Sequence, residues 1–247
     1  MNNALVVGGT SGLGLSIALD LLARGYDDVY VVGRNPPDLG EGVHSPSLKQ
    51  LKHIPMDLTQ TDAQALSRLP DVRTLVYCAG FGRVAGFEQL VSSEIQDLVK
   101  VNQVAFFLVV KRYYEQMQSN QRFDCCVISS IAGGLNSPLF AVYAASKAAV
   151  NSFVESLNIE LQKSDTPNRI LNVMPGKIRG TKFHGANTDL ESLSGITEEI
   201  VTRMMRRETK WIPDFEKTYK AVLKRYHDEP ERFGMESYDY KMEKSHE

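Results

Sequence analysis

Leu5-Val6-Val7-Gly8-Gly9-Thr10-Ser11-Gly12-Leu13-Gly14 opens the chain with a short apolar run, a glycine-rich loop and the start of an apolar helical stretch over Gly12–Arg24. A β-branched run directly before such a loop reads as a buried strand. Glycine at 8 permits a tight turn, glycine at 12 lets the backbone approach a pyrophosphate, and glycine at 14 lets the helix pack closely on its strand. The helix amino terminus adds N–H donors and a favourable dipole for phosphate. Gly8, Thr10, Ser11, Gly12, Leu13 and Gly14 are therefore read as one nucleotide cradle. A plain strand-to-helix turn also suits a glycine cluster; position and spacing favour the nucleotide.

Working outward, apolar runs at Asp28–Val32, Lys52–Pro55, Thr74–Tyr77, Cys125–Ser129 and Arg169–Val173 alternate with helix candidates at Asp62–Leu69, Ser93–Gln118 and Val142–Lys163. That alternation predicts an α/β, doubly wound (Rossmann) parallel sheet of six strands with helices on both faces. A chain of 247 residues suits one such domain over 1–247. The Pro-, Gly- and Ser-rich segment Asn35–Leu51 is expected to be loop with little helix, and Pro213–His227 reads as one more helix. Residues of about 181–210 are expected on the substrate side, and the polar end, about 236–247, as a mobile tail or an arm on a neighbour.

Hydrophobic residues at 43% and charged residues at 23% are the mix of a globular protein. A net charge of −2 gives no attraction for nucleic acid or an anionic membrane, so a small-molecule partner is expected. The longest apolar run, Val104–Val110, is far short of the about 20 residues a membrane span needs. With no secretory pattern at the amino terminus, the expected location is cytoplasmic. Three cysteines, two of them adjacent at Cys125 and Cys126, make neither a disulfide framework nor a metal spacing.

Val31-Val32-Gly33-Arg34 ends the second strand with glycine where an NAD site usually carries a carboxylate for the ribose hydroxyl. The guanidinium of Arg34 can grip a 2′-phosphate bidentately, which points to NADP(H). A solvated charge beginning a loop is the plain alternative. Asp57, followed by Leu58, is read either as an acceptor for the adenine amino group or as a helix cap. Ser130 follows a strand at its carboxyl end, where ligands bind in open α/β sheets. Tyr143 and Lys147 are four residues apart at a helix start, so they share a face and the ammonium can favour the phenolate.

With the glycine loop, Asp57, Asn102, Ser130, Tyr143 and Lys147 in order, the sequence resembles the short-chain dehydrogenase/reductase family from Leu5 to about Thr181. The glycine spacing is similar to that of the family's non-extended branch, and Gly33-Arg34 places the resemblance among its NADP(H)-preferring members. The resemblance implies an oxidoreductase that interconverts a carbonyl and a secondary alcohol on a small or medium metabolite. In it Tyr143 is the acid/base and Ser130 a hydrogen-bond donor to the substrate oxygen. Lys147 lowers the phenol's pKa and holds the nicotinamide ribose, while Asn102 supports a water that feeds protons to the lysine. Pro175, Gly176 and Ile178 resemble the loop that binds the carboxamide, and Thr181 its displaced threonine. Cys78-Ala79-Gly80 stands where the family has Asn-Ala-Gly, and Val7 where it has threonine.

The helices at Ser93–Gln118 and Val142–Lys163 are apolar on more than one face, and the resemblance implies a homodimer through them, with a tetramer as the larger alternative. Lys177, Arg179, Lys182 and His184, and further on Arg203, Arg206 and Arg207, form basic clusters, from which an anionic substrate is expected. Solvated charges paired with Glu198, Glu199 and Glu208 are the plainer account. A non-catalytic NADP(H)-sensing protein on the same fold is the competing function.

Overall fold

Alternate residues of each strand face opposite layers, and both layers are apolar. Leu5, Val7, Leu75, Tyr77, Cys125 and Val127 enter one core, while Ala4, Val6, Val76, Cys126, Ile128, Leu171 and Val173 enter the other. A strand buried on both faces belongs in a parallel sheet sandwiched by helices. The computed structural model of the protein, which describes residues 2–39, 46–181, 183 and 188–244, has that architecture.

The strands are β1 (Ala4–Val7), β2 (Val29–Gly33), β3 (Leu51–Pro55), β4 (Thr74–Tyr77), β5 (Asp124–Ile128), β6 (Ile170–Val173) and β7 (Lys210–Trp211). They form one sheet in the order β3-β2-β1-β4-β5-β6-β7, parallel at every pairing. The expected six strands are corrected to seven. β7 has only two residues, and its pairing of Asn172 with Lys210 and Val173 with Trp211 is too short to leave a periodic signal.

The helices are α1 (Gly12–Ala23), α2 (Ala63–Ser67), α3 (Ser92–Val99), α4 (Ala105–Gln118), α5 (Ala141–Lys163), α6 (Leu190–Met205), α7 (Lys220–Asp228) and α8 (Pro230–Lys244). Leu13, Ile17 and Leu21 of α1 and Ile200, Val201 and Met204 of α6 cover one face. Phe106, Val109 and Tyr113 of α4 and Val150, Val154 and Leu161 of α5 cover the other. The single helix expected over Ser93–Gln118 is divided by a π-helical turn, Lys100–Val104, which carries Asn102. Such insertions collect at functional sites. The polar end expected to be a tail from about 236 is helical to Lys244, because Pro230 starts a helix that docks on the loop before α5. No described helix is long and apolar enough to cross a membrane.

Strand order reverses between β1 and β4, so the loops after these strands open a crevice at their carboxyl ends. Cys78 and Ala79 both donate their amides to the Val7 carbonyl, at 2.8 and 3.0 Å. The glycine loop and Cys78-Ala79-Gly80 are thereby locked side by side.

Candidate active site

The cradle is built by close approach. Gly8 has φ +79°, and a Cβ there would lie 2.5 Å from the Ala79 amide nitrogen. A Cβ on Gly14 would run into the Gly8 carbonyl oxygen. At the start of α1 the Ser11 side chain makes no capping bond, and the amides of Leu13 and Gly14 have no acceptor among the described residues. The Gly12 amide donates to the Thr188 hydroxyl at 3.0 Å. Two free amides and a helix dipole fit a pyrophosphate. A Cβ on Gly33 would meet the Thr10 hydroxyl at 2.5 Å, and Arg34 next to it is exposed.

Asp57 satisfies the capping reading: its Oδ1 accepts from the Thr59 amide and the Thr59 hydroxyl, both at 2.9 Å. The amide bond to Thr59 does most to hold the Asp57 carboxyl below its ordinary value, and Arg34 adds to this. Among the described residues Oδ2 accepts no hydrogen bond, which leaves it for another donor. Leu58 is buried beneath.

At the other end, Ser130, Tyr143, Lys147 and Asn102 come together and are all buried. Burial is the largest influence on Tyr143, pushing the phenol up to about 12, with a hydrogen bond from Ser130 working against it. Beside these two, no influence of Lys147 on the Tyr143 phenol is resolved. The ammonium stands 5.7 Å from the Tyr143 ring centre and donates to the Ile128 carbonyl at 3.0 Å, and burial brings its own pKa down to about 8. Beside it the Cys78 thiol is pushed up to about 12 by burial, which Lys147 partly opposes.

Asn102 spends its side chain on protein partners. Oδ1 accepts from the Phe81 amide, and Nδ2 donates to the Phe81 carbonyl and to Ser146, each at 3.0 Å. A Cβ on Gly80 would lie 3.1 Å from Lys147 Nζ and 3.3 Å from Asn102 Oδ1, so both groups close on the bare face of this glycine. Ser130 accepts from the Ala132 amide at 3.1 Å and leans 3.4 Å from the Pro175 carbonyl, which ties the loop after β5 to the loop after β6. Ile178 packs on the core, and Thr181 donates to its carbonyl at 3.3 Å.

Three contributors have no sequence signal strong enough to single them out. Phe140 stacks on Tyr143 with ring centres 4.2 Å apart, Phe183 closes from the far loop at 5.3 Å, and Thr188 reaches the start of α1. Phe140 lies only three residues before Tyr143, which was a usable hint.

The second basic cluster is not at this site. α6 runs beside α1, from Ser16–Thr197 at 2.7 Å down to Arg24, whose Nη1 lies 4.0 Å from Met205. Arg203, Arg206 and Arg207 therefore end up at the pole where the strands begin. Arg203 is bonded to Glu199 at 3.0 Å and Glu208 at 2.8 Å and lies 4.8 Å over the Trp211 ring, so the plain reading of paired charges holds for it. Lys177 and Arg179 are exposed in the loop after β6, and Lys182 and His184 lie outside the described residues.

Known proteins are similar to this chain in sequence and in fold. A family model described as short chain dehydrogenase matches residues 2–191. A "Probable NADP-dependent dehydrogenase" of Haemophilus influenzae is 31% identical over 195 residues, 73% of either chain. The 7beta-hydroxysteroid dehydrogenase of Clostridium sardiniense is 27% identical over 164 residues, 63% of this chain and 62% of that protein's length. A short-chain dehydrogenase from Sphingobium yanoikuyae, solved with NADPH, superposes with a TM-score of 0.73 at 22% identity, covering 90% of this chain and 92% of that one. On the extent of these matches, this chain belongs to the short chain dehydrogenase family.

Proposed function

We propose that the protein is an NADP(H)-dependent oxidoreductase that interconverts a carbonyl and a secondary alcohol on a small or medium metabolite. The observation that carries this is the burial, in one crevice with the nucleotide cradle, of a phenol beside a buried serine hydroxyl and a buried lysine ammonium. A bound nicotinamide supplies or accepts the hydride at the carbonyl carbon. Tyr143 gives its proton to the substrate oxygen in reduction and takes one back in oxidation. Ser130, the neighbour of that phenol, steadies the oxygen by hydrogen bonding. Lys147 keeps N–H groups beyond the one given to Ile128, and these suit the nicotinamide ribose and stabilise a phenolate forming nearby. The remaining lone pair of Asn102 Oδ1 is where a water relaying protons to Lys147 would bind.

NADP(H) is supported by Arg34 after Gly33 and by the NADP dependence in the name of the Haemophilus relative. Gly8, Thr10, Ser11, Gly12, Leu13 and Gly14 would hold the pyrophosphate side. Asp57 through Oδ2 and Leu58 would meet the adenine, and Cys78, Ala79, Gly80, Pro175, Gly176, Ile178 and Thr181 the ribose and nicotinamide. Among the described residues, an anionic substrate is supported by Lys177 and Arg179, exposed in the loop after β6. A homodimer is supported by apolar side chains left exposed on the α4–α5 side, and a cytoplasmic location by three unbridged cysteines.

The test is turnover of NADPH with a panel of carbonyl compounds, by the intact protein and by Tyr143→Phe. The variant should retain NADPH affinity and lose turnover by about a hundredfold or more. Tight NADPH binding with no Tyr143-dependent turnover of any compound would favour a nucleotide sensor instead.

A further inference from the structure

The match to the family model ends at residue 191, and the helices beyond it include α8, which docks on the loop joining Ser130 to Tyr143. Asn136 donates to the Pro230 carbonyl at 2.8 Å. Lys241, half-buried and held down to about 8 by that burial, donates to the Ser137 hydroxyl at 2.7 Å and the Pro138 carbonyl at 2.8 Å. Its bonded partners are thus neutral acceptors, both in one turn.

That turn is strained. The Phe140 amide donates to the Ser137 carbonyl at 3.0 Å, closing a β-turn with Pro138 and Leu139 as its central residues. Leu139 has φ +60°, a conformation that this position of a type II turn normally gives to glycine. A branched side chain persists there only when its surroundings over-determine it. One restraint is the Ala85 amide, donating to the Leu139 carbonyl at 2.7 Å, and Lys241 adds a second. Immediately after the turn comes Phe140, whose ring stacks on Tyr143 at 4.2 Å and 24°.

We infer that Lys241 is a positioning residue: from the C-terminal helix it clamps the strained Ser137–Phe140 turn and, through Phe140, fixes the ring of Tyr143. The inference rests on the reading of Tyr143 as the acid/base. It deepens that reading by giving a remote helix control of the proton donor's orientation.

The experiment compares the intact protein with Lys241→Met, Lys241→Arg, Leu139→Gly and Lys241→Met/Leu139→Gly. It uses hydrogen exchange over residues 131–140 and at the Ala85 amide together with kcat, KM and NADPH affinity. Lys241→Met should speed exchange in the turn by about tenfold and lower kcat by about tenfold, with NADPH affinity unchanged. Lys241→Arg, which keeps the donors, should stay close to the intact protein. Leu139→Gly should restore kcat to the Lys241→Met background, because glycine needs no clamp at positive φ. Rescue by glycine is the outcome that a merely stabilising lysine does not give. Unchanged exchange in Lys241→Met overturns the clamp, and so does a kcat loss that glycine leaves uncorrected in a folded double variant. Faster exchange with full kcat overturns the link to Tyr143. If Lys241→Met fails to fold, Ser137→Ala removes one of the two acceptors and is held to the same outcomes. If the intact protein reduces no carbonyl, the functional reading fails by itself, and the exchange arm still decides whether the clamp exists.

Discussion

Lys147 is buried among neutral groups, and its cost can be read from pH. Its pKa falls from 10.5 to about 8 on folding, so the unfolded chain holds a proton between those values that the folded protein has released. Stability must therefore rise as pH climbs through that window. Below pH 8 the full penalty is present, about 3 kcal/mol from the size of the shift. Lys147→Met should be more stable than the intact protein at neutral pH in urea unfolding, and the gap should shrink by about 2 kcal/mol on going to a pH of about 9.5. A gap independent of pH would show that Lys147 is not desolvated as described. Arg34 is the second residue with a separable effect. It is exposed and contributes only weakly to its surroundings, so Arg34→Ala should leave the melting temperature unchanged. It should cut NADPH affinity at least tenfold, about 1.4 kcal/mol, and leave NADH affinity as it was. Calorimetric titration of both nucleotides measures this, and equal losses for the two would remove the 2′-phosphate role.

At the scale of an element, the start of α1 separates packing from binding within one turn. A Cβ on Gly14 would strike the Gly8 carbonyl, backbone against backbone. Gly14→Ala should therefore force α1 away from β1 and destabilise the protein by about 1 to 3 kcal/mol in denaturant titration. Gly12 has φ +51°, but a Cβ there would meet Thr181 first, in ordinary contact at 3.5 Å. Gly12→Ala should cost about 1 to 2 kcal/mol of left-handed strain and weaken NADPH further, because the methyl group occupies the approach to the phosphate. Greater loss of stability at Gly12 than at Gly14 would reverse this assignment of tasks.

The whole molecule leaves part of its α4–α5 side uncovered. Phe107 and Phe153 meet across these helices with tilted rings 4.2 Å apart and are only partly buried, while Ile159 is 61% and Val104, at the start of α4, 42% exposed. Apolar side chains on two neighbouring helices suit a symmetric partner. Light scattering after gel filtration should give twice the chain mass of 27.6 kDa, and Ile159→Glu with Phe153→Glu should return it to one chain. A monomeric intact protein at micromolar concentration would leave the face to another partner.

Features that depend on neighbours along the chain are legible in its residues alone. Apolar β-branched runs specify the buried strands, Gly8, Gly12 and Gly14 the turn into α1, and Tyr143 and Lys147 a shared helix face, because each signal is complete within one turn or strand. β7 was missed since two residues carry no period, and α8 since its docking face is specified by the loop it meets. The positions of the arginines on α6 were likewise not local: helix spacing groups Arg203, Arg206 and Arg207, but only packing against α1 decides at which pole they lie. Tertiary structure also decided the proton affinities. Residue identity suggests an ammonium lowering a phenol, whereas burial raises Tyr143 and lowers Lys147, and desolvation is a property of the assembled site that no spacing in the chain encodes.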